Sequence, residues 1–515
     1  MSDAVDRGIT VTELAPMEQS IEVSRETTAA FIGRALRGPL NEPVLVKDFG
    51  EFRRRFGDVW SRSSLAPAVR QFFEHGGRQL YVVRVANSAR GSMLCLPASG
   101  SALVLRAVDP GSSEKIRAAV DIDGIDDDEH FNLTLQRIDS ATGHVIDQEL
   151  HRRVSYLEES GNFVADALLT STLARVEHPY PAHRPELNQG LTTSFEITYV
   201  EQAQEGADGQ ELSDYDLIGS RRDRTGLFAL QQVERLDLLY LPPPGKGRDL
   251  GPASLLAAEL YCREHGAMLI VDPPGSWTTP EIAVHGVRAL GLASPNAIGY
   301  FPRMVKRGDD SDLPRAVGGA LAGLLCKLDR TYGAWQSLDQ QSLGFCRELV
   351  AACDVADDEL QGLAREGLNS VTRGVAGRAQ LRGAVTMGRG SESHGQLASL
   401  PVRRLCLQVV NSIDHGTRWA VFESNNSQVA ERIRAQVTAY LAALVNMGAF
   451  ESDRFSVECS ADVFPRDDEH ERSVTILITF HPPGCRKPVS FTLHQTAASC
   501  RVTTTAFAPV MENCA

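Results

Sequence analysis

The chain lacks several features that would assign it quickly. No uninterrupted apolar run reaches about 18 residues, so nothing in the sequence reads as a membrane-spanning helix, and no direct membrane insertion is expected. No Cys-x-x-Cys pair occurs among its ten cysteines, which excludes the common zinc and dithiol patterns and fits scattered reduced thiols, with no metal expected. A basic excess is also missing: the formal charge is −14, and acids spread along the chain repel a phosphate backbone, so no nucleic-acid partner is expected. The first residues, "MSDAVDRGITVTEL", show neither a basic start nor an apolar core, so no secretory signal is read and synthesis in the cytoplasm is expected.

What is present is a long chain of 515 residues, 43% hydrophobic and 23% charged, the composition of a soluble globular protein with two to four domains. Residues 8–14, "GITVTEL", alternate Ile9 and Val11 with threonines in the manner of a short strand, yet have no local partner. The dozen polar residues that follow could carry that strand about 40 Å if extended. A compact body begins with strands around Ala29 to Gly33 and Pro43 to Val46. Asp48 and Glu51 form a capping box for a helix with Phe49, Phe52 and Phe56 on one stripe, and a second helix is capped by Ser63 or Ser64 and ended by Gly76 and Gly77 before "LYVVRV".

From about 88 to 212 the pattern changes to strand-like pieces, "ALVLRAV", "KIRAAVDIDG", "HFNLTLQRI" and "FEITYVE", separated by turn formers, and is read as a β-rich insertion. An α/β rhythm then returns, with strands predicted over 236–241, 267–272 and 297–301, helices over 252–265 and 280–290, and the strands parallel. The last region holds a helix over 426–447 with Val429, Ile433, Val437, Leu441 and Leu444 on its stripe, a hairpin of "SVTILITF" and "VSFTL", and a strand-like "CRVTTTAF" in the tail. The fold class is α/β and α+β multidomain, with a Rossmann-like α/β core. The expected division is an N-terminal arm (1–25), core (26–87 and 213–355), insertion (88–212), C-terminal domain (356–494) and tail (495–515).

Each stretch with possible chemistry also has a structural reading. "FIGRALRGPL" has Gly33 and Gly38 at the spacing of a phosphate loop, but Pro39 removes a donor and Leu40 stands where an oxygen would bind magnesium, so the turn is read as a backbone corner. "PPPGKGRDLGPAS" places Gly245, Lys246 and Gly247 between a strand and a helix, with Leu250 where a third glycine would complete the dinucleotide fingerprint; with Asp272 it is the basis of an alternative nucleotide-binding enzyme. "DIDGIDDDEH" has Gly124 at the fourth position of a would-be calcium loop that needs glycine at the sixth, and reads as a solvated turn. No G-x-S-x-G accompanies "FFEHGGRQ", so no catalytic triad is assembled. "SIDHGTRWAVFESNN" gathers His415, Arg418, Trp419 and Glu423, and is read as a packed strand with a polar turn. No catalytic residue, cofactor or metal is assigned.

With these motifs laid out, the sequence resembles the tail sheath family of contractile phages and related contractile injection systems. The resemblance is carried in order by "TTAAFIGRALRGPLNEPVLVKDFGEFRRRFGDVW", "AVRQFFEHGGRQLYVVRV", "LSDYDLIGSRRDRTGLFALQQVERLDLLYLPP", "AMLIVDPPGSW", "LGLASPNAIGYFPRM" and "LPVRRLCLQVVNSIDHGTRWAVFESNN". One departure is "REGLNSVTRGVAGRAQLRGAV", which stands where such sheaths carry an Asn-Pro segment and a Pro-Gly-Arg-Gly-like turn.

The resemblance implies a non-enzymatic subunit that polymerises as stacked, hexameric rings around an inner tube and shortens when triggered. Baseplate and terminator proteins are implied partners, a second sheath paralogue is left open, and the particle is a phage tail or injection machine assembled in a bacterium. A non-contracting paralogue is the other alternative. The resemblance also implies strands exchanged between subunits, which assigns Ile9, Val11 and Glu13 to the lent arm, Val474, Ile476 and Ile478 to the receiving hairpin, and Phe491 and Leu493 to its closing strand. The polar helix face with Glu431, Arg432 and Gln436 is assigned to tube contact.

Overall fold

The computed structural model describes residues 20–188, 198–308, 314–341, 343–374, 379–390, 397–422, 427–466, 469–485, 487–496 and 500–505. These fall into two compact units, one of Thr27–Thr331 with Leu338–Ala398, the other running from Ser399 onward with residues 20–26 and Tyr332–Ser337.

The first unit begins with β1 (Ala29–Gly33), β2 (Pro43–Val46), α1 (Phe49–Phe56), α2 (Leu65–Glu74) and β3 (Leu80–Arg84). Residues 88–212 carry β4 (Met93–Ala98), β5 (Ser101–Ala107), β6 (Glu114–Asp121), β7 (His130–Asp139), β8 (Val145–Ser155), α3 (Val164–Ala167) and β9 (Ala174–Glu177). The unit continues through α4 (Asp214–Ile218), β10 (Leu238–Tyr240), α5 (Pro252–Glu264), β11 (Met268–Val271), α6 (Pro280–Leu290), β12 (Ala297–Phe301), β13 (Met304–Lys306) and α7 (Gly318–Thr331). It closes with β14 (Leu349–Ala351), α8 (Asp357–Arg365), β15 (Asn369–Arg373) and β16 (Ala379–Arg382).

Its centre is an eight-stranded sheet in the order β16-β15-β12-β11-β10-β1-β3-β2. The six inner strands are parallel, as the α/β rhythm predicts, and the two outermost are antiparallel. Successive side chains of a strand face opposite sides, and helices cover both sides, so β1 is apolar at every position. Ala30 and Ile32 join the cluster that contains Leu255, Ala258 and Ala283 of α5 and α6. Phe31 faces the other way, edge-on to Phe72 of α2 and Tyr240 of β10. The capping box of α1 forms, with Glu51 N–H donating to Asp48 at 2.7 Å and Lys47 N–H to Glu51 at 2.9 Å.

The stretch 88–212 folds as two antiparallel three-stranded sheets, β4-β5-β9 and β6-β7-β8, around a shared core that includes Leu105, Phe131, Leu133 and Val154. Its β8 is not foreseen from the sequence, because "VIDQELHRRVS" is exposed over most of its length and alternates weakly.

The second unit contains α9 (Leu400–Thr417), α10 (Ser427–Asn446) and an antiparallel sheet of β17 (Phe455–Arg466), β18 (Glu469–Phe480), β19 (Val489–Thr496) and β20 (Cys500–Thr505), in chain order across the sheet. The hairpin and tail strands appear where they are predicted, and every residue of the stripe expected on α10 is buried. The reading of "SIDHGTRWAVFESNN" as a strand is corrected: His415 lies in α9, and Arg418 and Trp419 lie in the 3-10 turn Arg418–Val421 that follows it. The apolar run "WAVF" suits either state locally, but the buried face of Val402, Leu405, Cys406, Val409 and Ile413 keeps helical spacing and carries the helix on. Glu423 lies outside the described residues.

Helices α2 and α7 meet backbone to backbone. A Cβ added at Gly319 would stand 2.3 Å from the carbonyl oxygen of Ala68, and one at Gly323 equally close to that of Phe72. Gly319→Ala should therefore lower stability by about 1–3 kcal/mol through overpacking, against the roughly 1 kcal/mol of helix propensity that alanine would add in the open. A raised thermal midpoint would contradict this packing.

Candidate functional site

The corner after β1 is built around a buried cation. Arg84, the last residue of β3, is 1% exposed and turns its guanidinium into the corner. Its Nε donates to Ala35 O at 3.1 Å, Nη1 to Gly38 O at 2.5 Å, and Nη2 to Leu36 O at 3.3 Å and to Pro110 O at 2.5 Å. A phosphate loop presents N–H groups inward; this corner presents carbonyl oxygens to an arginine, the opposite polarity. Burial lowers the Arg84 pKa to about 10, with Asp109 and Glu114 opposing, so the group stays charged at neutral pH.

The same network fastens the β-rich insertion at both ends. Pro110 lies in its first half, and Arg34 Nη2 donates to Asp208 O at 2.8 Å and Gly209 O at 2.9 Å in its last residues. Arg37 pairs with Glu114 at 3.2 Å, and Arg137 pairs with Asp109 at 2.9 Å and Glu114 at 3.4 Å. Burial nonetheless raises the Glu114 pKa, with the two arginines opposing. Sequence reading missed Arg84 and Arg34; the available signal was a charged residue closing the otherwise apolar strand "LYVVR".

The Lys246 and Asp272 pair of the enzyme alternative does not assemble. Asp272 is half-buried, accepts from the Tyr240 hydroxyl, and caps the start of α7 by accepting from Val317 N–H at 3.2 Å and Gly318 N–H at 3.0 Å. Lys246 stands exposed in the loop after β10, with no bond to Asp272. Neighbouring donors are also taken by carboxylates: Gly251 N–H by Asp214 at 3.1 Å, and Gly275 N–H by Asp249 at 3.0 Å. The places where an α/β sheet ordinarily receives an anion are thus filled by the chain's own acids.

Beside them, at the carboxyl ends of β10 and β12, lies an open cleft of about 700 Å³. Trp60, Pro67, Tyr240 and Pro243 supply apolar walls. Six cationic side chains, Arg70, Lys246, Arg248, Arg303, Lys306 and Arg315, line it against three carboxylates, Glu74, Asp249 and Glu348. Among the described residues no three His, Cys, Asp or Glu side chains gather to hold a metal. In the acidic turn, Asp127 accepts from His130 N–H at 2.8 Å and Asp121 from Asn132 Nδ2 at 2.7 Å, which orders a hairpin end.

In the second unit, Val474, Ile476 and Ile478 lie on β18, and Phe491 and Leu493 on β19. Their side chains are buried, and Phe480 stacks with Phe450 on one side and Phe491 on the other. Both strands are paired on both sides within the chain, β18 by β17 and β19, and β19 by β18 and β20. A strand from another molecule therefore cannot add to the backbone of these five residues; among the described residues the outward edges belong to β17 and β20. Ile9, Val11 and Glu13 lie outside the described residues. The chain leading from them is anchored from residue 21: Ile21 is buried against Gly416, and Gln408 Nε2 donates to Ser24 O at 3.1 Å. On α10, Glu431 is exposed, Arg432 lies 4.4 Å over the Trp419 ring, and Gln436 is half-buried.

No family model and no curated protein matches the chain by sequence. In three dimensions the chain has the tail-sheath fold. It is similar to a sheath tail protein of Listeria innocua, with a TM-score of 0.62 and 12% identity over 94% of this chain and 97% of that one. It is also similar to a sheath tail protein of Desulfitobacterium hafniense, with a TM-score of 0.54 and 12% identity over 95% of this chain and 100% of that one. A third likeness, with a TM-score of 0.53 and 14% identity over 94% and 95%, is to the PVC sheath complex of an extracellular contractile injection system in its contracted state.

Two outcomes follow from these contacts. Arg84→Met leaves several inward carbonyls without donors, at about 1–3 kcal/mol each, and should speed proteolysis of the stem around residues 86–92 and 204–212; unchanged cleavage would contradict the clamp. His75, which holds Gln71 O through Nδ1 at 2.7 Å and accepts Cys346 N–H at Nε2 at 3.1 Å, is kept neutral because burial lowers its pKa. The unfolded chain alone takes up that proton, so the contribution is intact above the ordinary value of 6.5 and is lost as pH falls below it. Melting temperature should drop more steeply between about pH 6.5 and 5 in the parent than in His75→Gln, and equal slopes would rule this out.

Proposed function

We propose that the chain is the structural subunit of a contractile sheath, polymerising as helical stacked rings around an inner tube and seated on a baseplate, within a phage tail or injection particle. The observation that carries this is likeness along nearly the whole length, both chains covered, to sheath proteins that include one in a contracted assembly. Its proposed partners are copies of itself in six-fold rings, an inner tube protein, and baseplate and terminator proteins. The insertion 88–212 is proposed to face outward and the C-terminal domain to face the tube, with Glu431 and its neighbours on α10 as contact.

The proposed linkage is an extended segment around Ile9, Val11 and Glu13 added to an outer edge of a neighbour's C-terminal sheet, at β17 or β20. Five backbone hydrogen bonds at about 0.5–1.5 kcal/mol each hold such a link, enough to persist while rigid blocks change packing. The enzyme alternative is disfavoured by Asp272 serving as a helix cap. No nucleotide is needed if a metastable long lattice converts to a stable short one.

Electron microscopy of the purified chain should reveal hollow cylinders. Removal of residues 1–19, which leaves the Ile21 and Ser24 anchors in place, should give a folded protein with an unchanged melting temperature that no longer polymerises. Cylinders formed equally well by the truncated chain would overturn the strand-exchange reading.

A further inference from the structure

We infer that the acidic turn between β6 and β7 of one copy docks in the basic cleft of another. The inference rests on the polymer reading above and names a contact that the reading leaves unassigned. Its starting point is electrostatic: a subunit of charge −14 repels its copies, and faces where opposite charges meet offset that repulsion and fix register. In the cleft cations outnumber carboxylates two to one around a concave, partly apolar wall; Arg248, Arg303 and Lys306 are paired with Glu211, Asp249 and Glu348, which leaves the outward charge with Lys246 and Arg70. Lys246 is exposed at its rim, and Arg70 has only a 3.9 Å contact with Glu74.

The complementary feature is the projecting turn "DIDGIDDDE", residues 121–129. Asp121, Asp127 and Glu129 are spent on ordering it, through Asn132, His130 and Ser155. Asp123, Asp126 and Asp128 point outward, and Asp128 is fully exposed with only a 3.8 Å contact to Arg184. A hairpin end carrying three outward carboxylates fits a cleft of this kind, whereas a phosphate ligand would find the helix-start N–H groups bound to Asp214 and Asp272 and the turn N–H of Gly275 bound to Asp249.

The two features must come from different molecules. None of the turn residues lines the cleft in the same chain, and the insertion that carries the turn is held to the core through Pro110, Asp208 and Gly209. Repeated in one direction from copy to copy, such a contact is heterologous, head to tail, which is the kind that propagates into a helix.

The test uses full-length protein and the critical concentration for polymer pelleting at about 0.1 M salt, where charges within about 10 Å still interact. D123K/D126K/D128K and, separately, R70E/K246E should each raise the critical concentration about tenfold or more, with the melting temperature unchanged for the first, whose sites are exposed, and lowered only slightly for the second, where Arg70 is half-exposed beside Glu74. The chain carrying all five reversals should return to within about threefold of the parent, since the contact is restored with its signs exchanged. A five-fold reversed chain no better than either half, or halves that polymerise like the parent, would overturn the contact while leaving the sheath reading intact. Sensitivity to Arg70 and Lys246 but not to the turn would give the cleft another occupant, and would also overturn it. A parent that never polymerises would overturn both readings.

Discussion

A single guanidinium, buried at the end of β3, fixes the corner after β1 and the root of the insertion in one step. Burying an arginine is costly unless its donors are satisfied, and Arg84 meets that condition with four carbonyl oxygens from two separate segments. Because the acceptors are backbone, their positions define the path of the chain itself. Arg34 repeats the device on the returning segment, at Asp208 and Gly209. The 125-residue span from 88 to 212 is thereby held as part of the first unit rather than hung from a linker.

The same economy governs the carboxyl edge of the central sheet. In an open parallel sheet this edge gathers helix starts and free N–H groups, and it is where ligands of other α/β proteins sit. Here Asp214, Asp249 and Asp272 occupy those donors from within the chain. Asp214 and Asp272 hold the starts of α5 and α7, Asp249 holds the turn at Gly275, and burial raises the pKa of Asp272. What is left at the edge is a shallow basic hollow whose cations belong to side chains, suited to another protein's carboxylates more than to a phosphate.

In the second unit the physics is that of an antiparallel sheet with two outer edges. Stacked phenylalanines and the buried row on β18 and β19 make the interior self-sufficient, so any addition happens at β17 or β20. Edge addition uses backbone hydrogen bonds alone, so it places few demands on the side chains of the bodies it joins.

Periodicity and punctuation in the sequence determined most of the elements. Parallel strands came from fully apolar runs between amphipathic helices, α1 from Asp48 and Glu51, and α10 from its five-residue stripe, because these signals are local and the tertiary structure agrees with them. Three matters were decided only by the folded chain. Whether β18 lies at an edge or inside a sheet depends on β17, a strand whose mixed sequence "FSVECSADVFPR" announces little. Whether "WAVF" continues a helix depends on a face buried many residues earlier. Whether Asp272 is a catalyst or a cap depends on Val317 and Gly318, which lie 45 and 46 positions away and reach it only through the crossing of α7 over the sheet. Local spacing sets the state of a segment, but the partner of a backbone edge or a buried charge is chosen by neighbours that are distant in sequence and adjacent only in space.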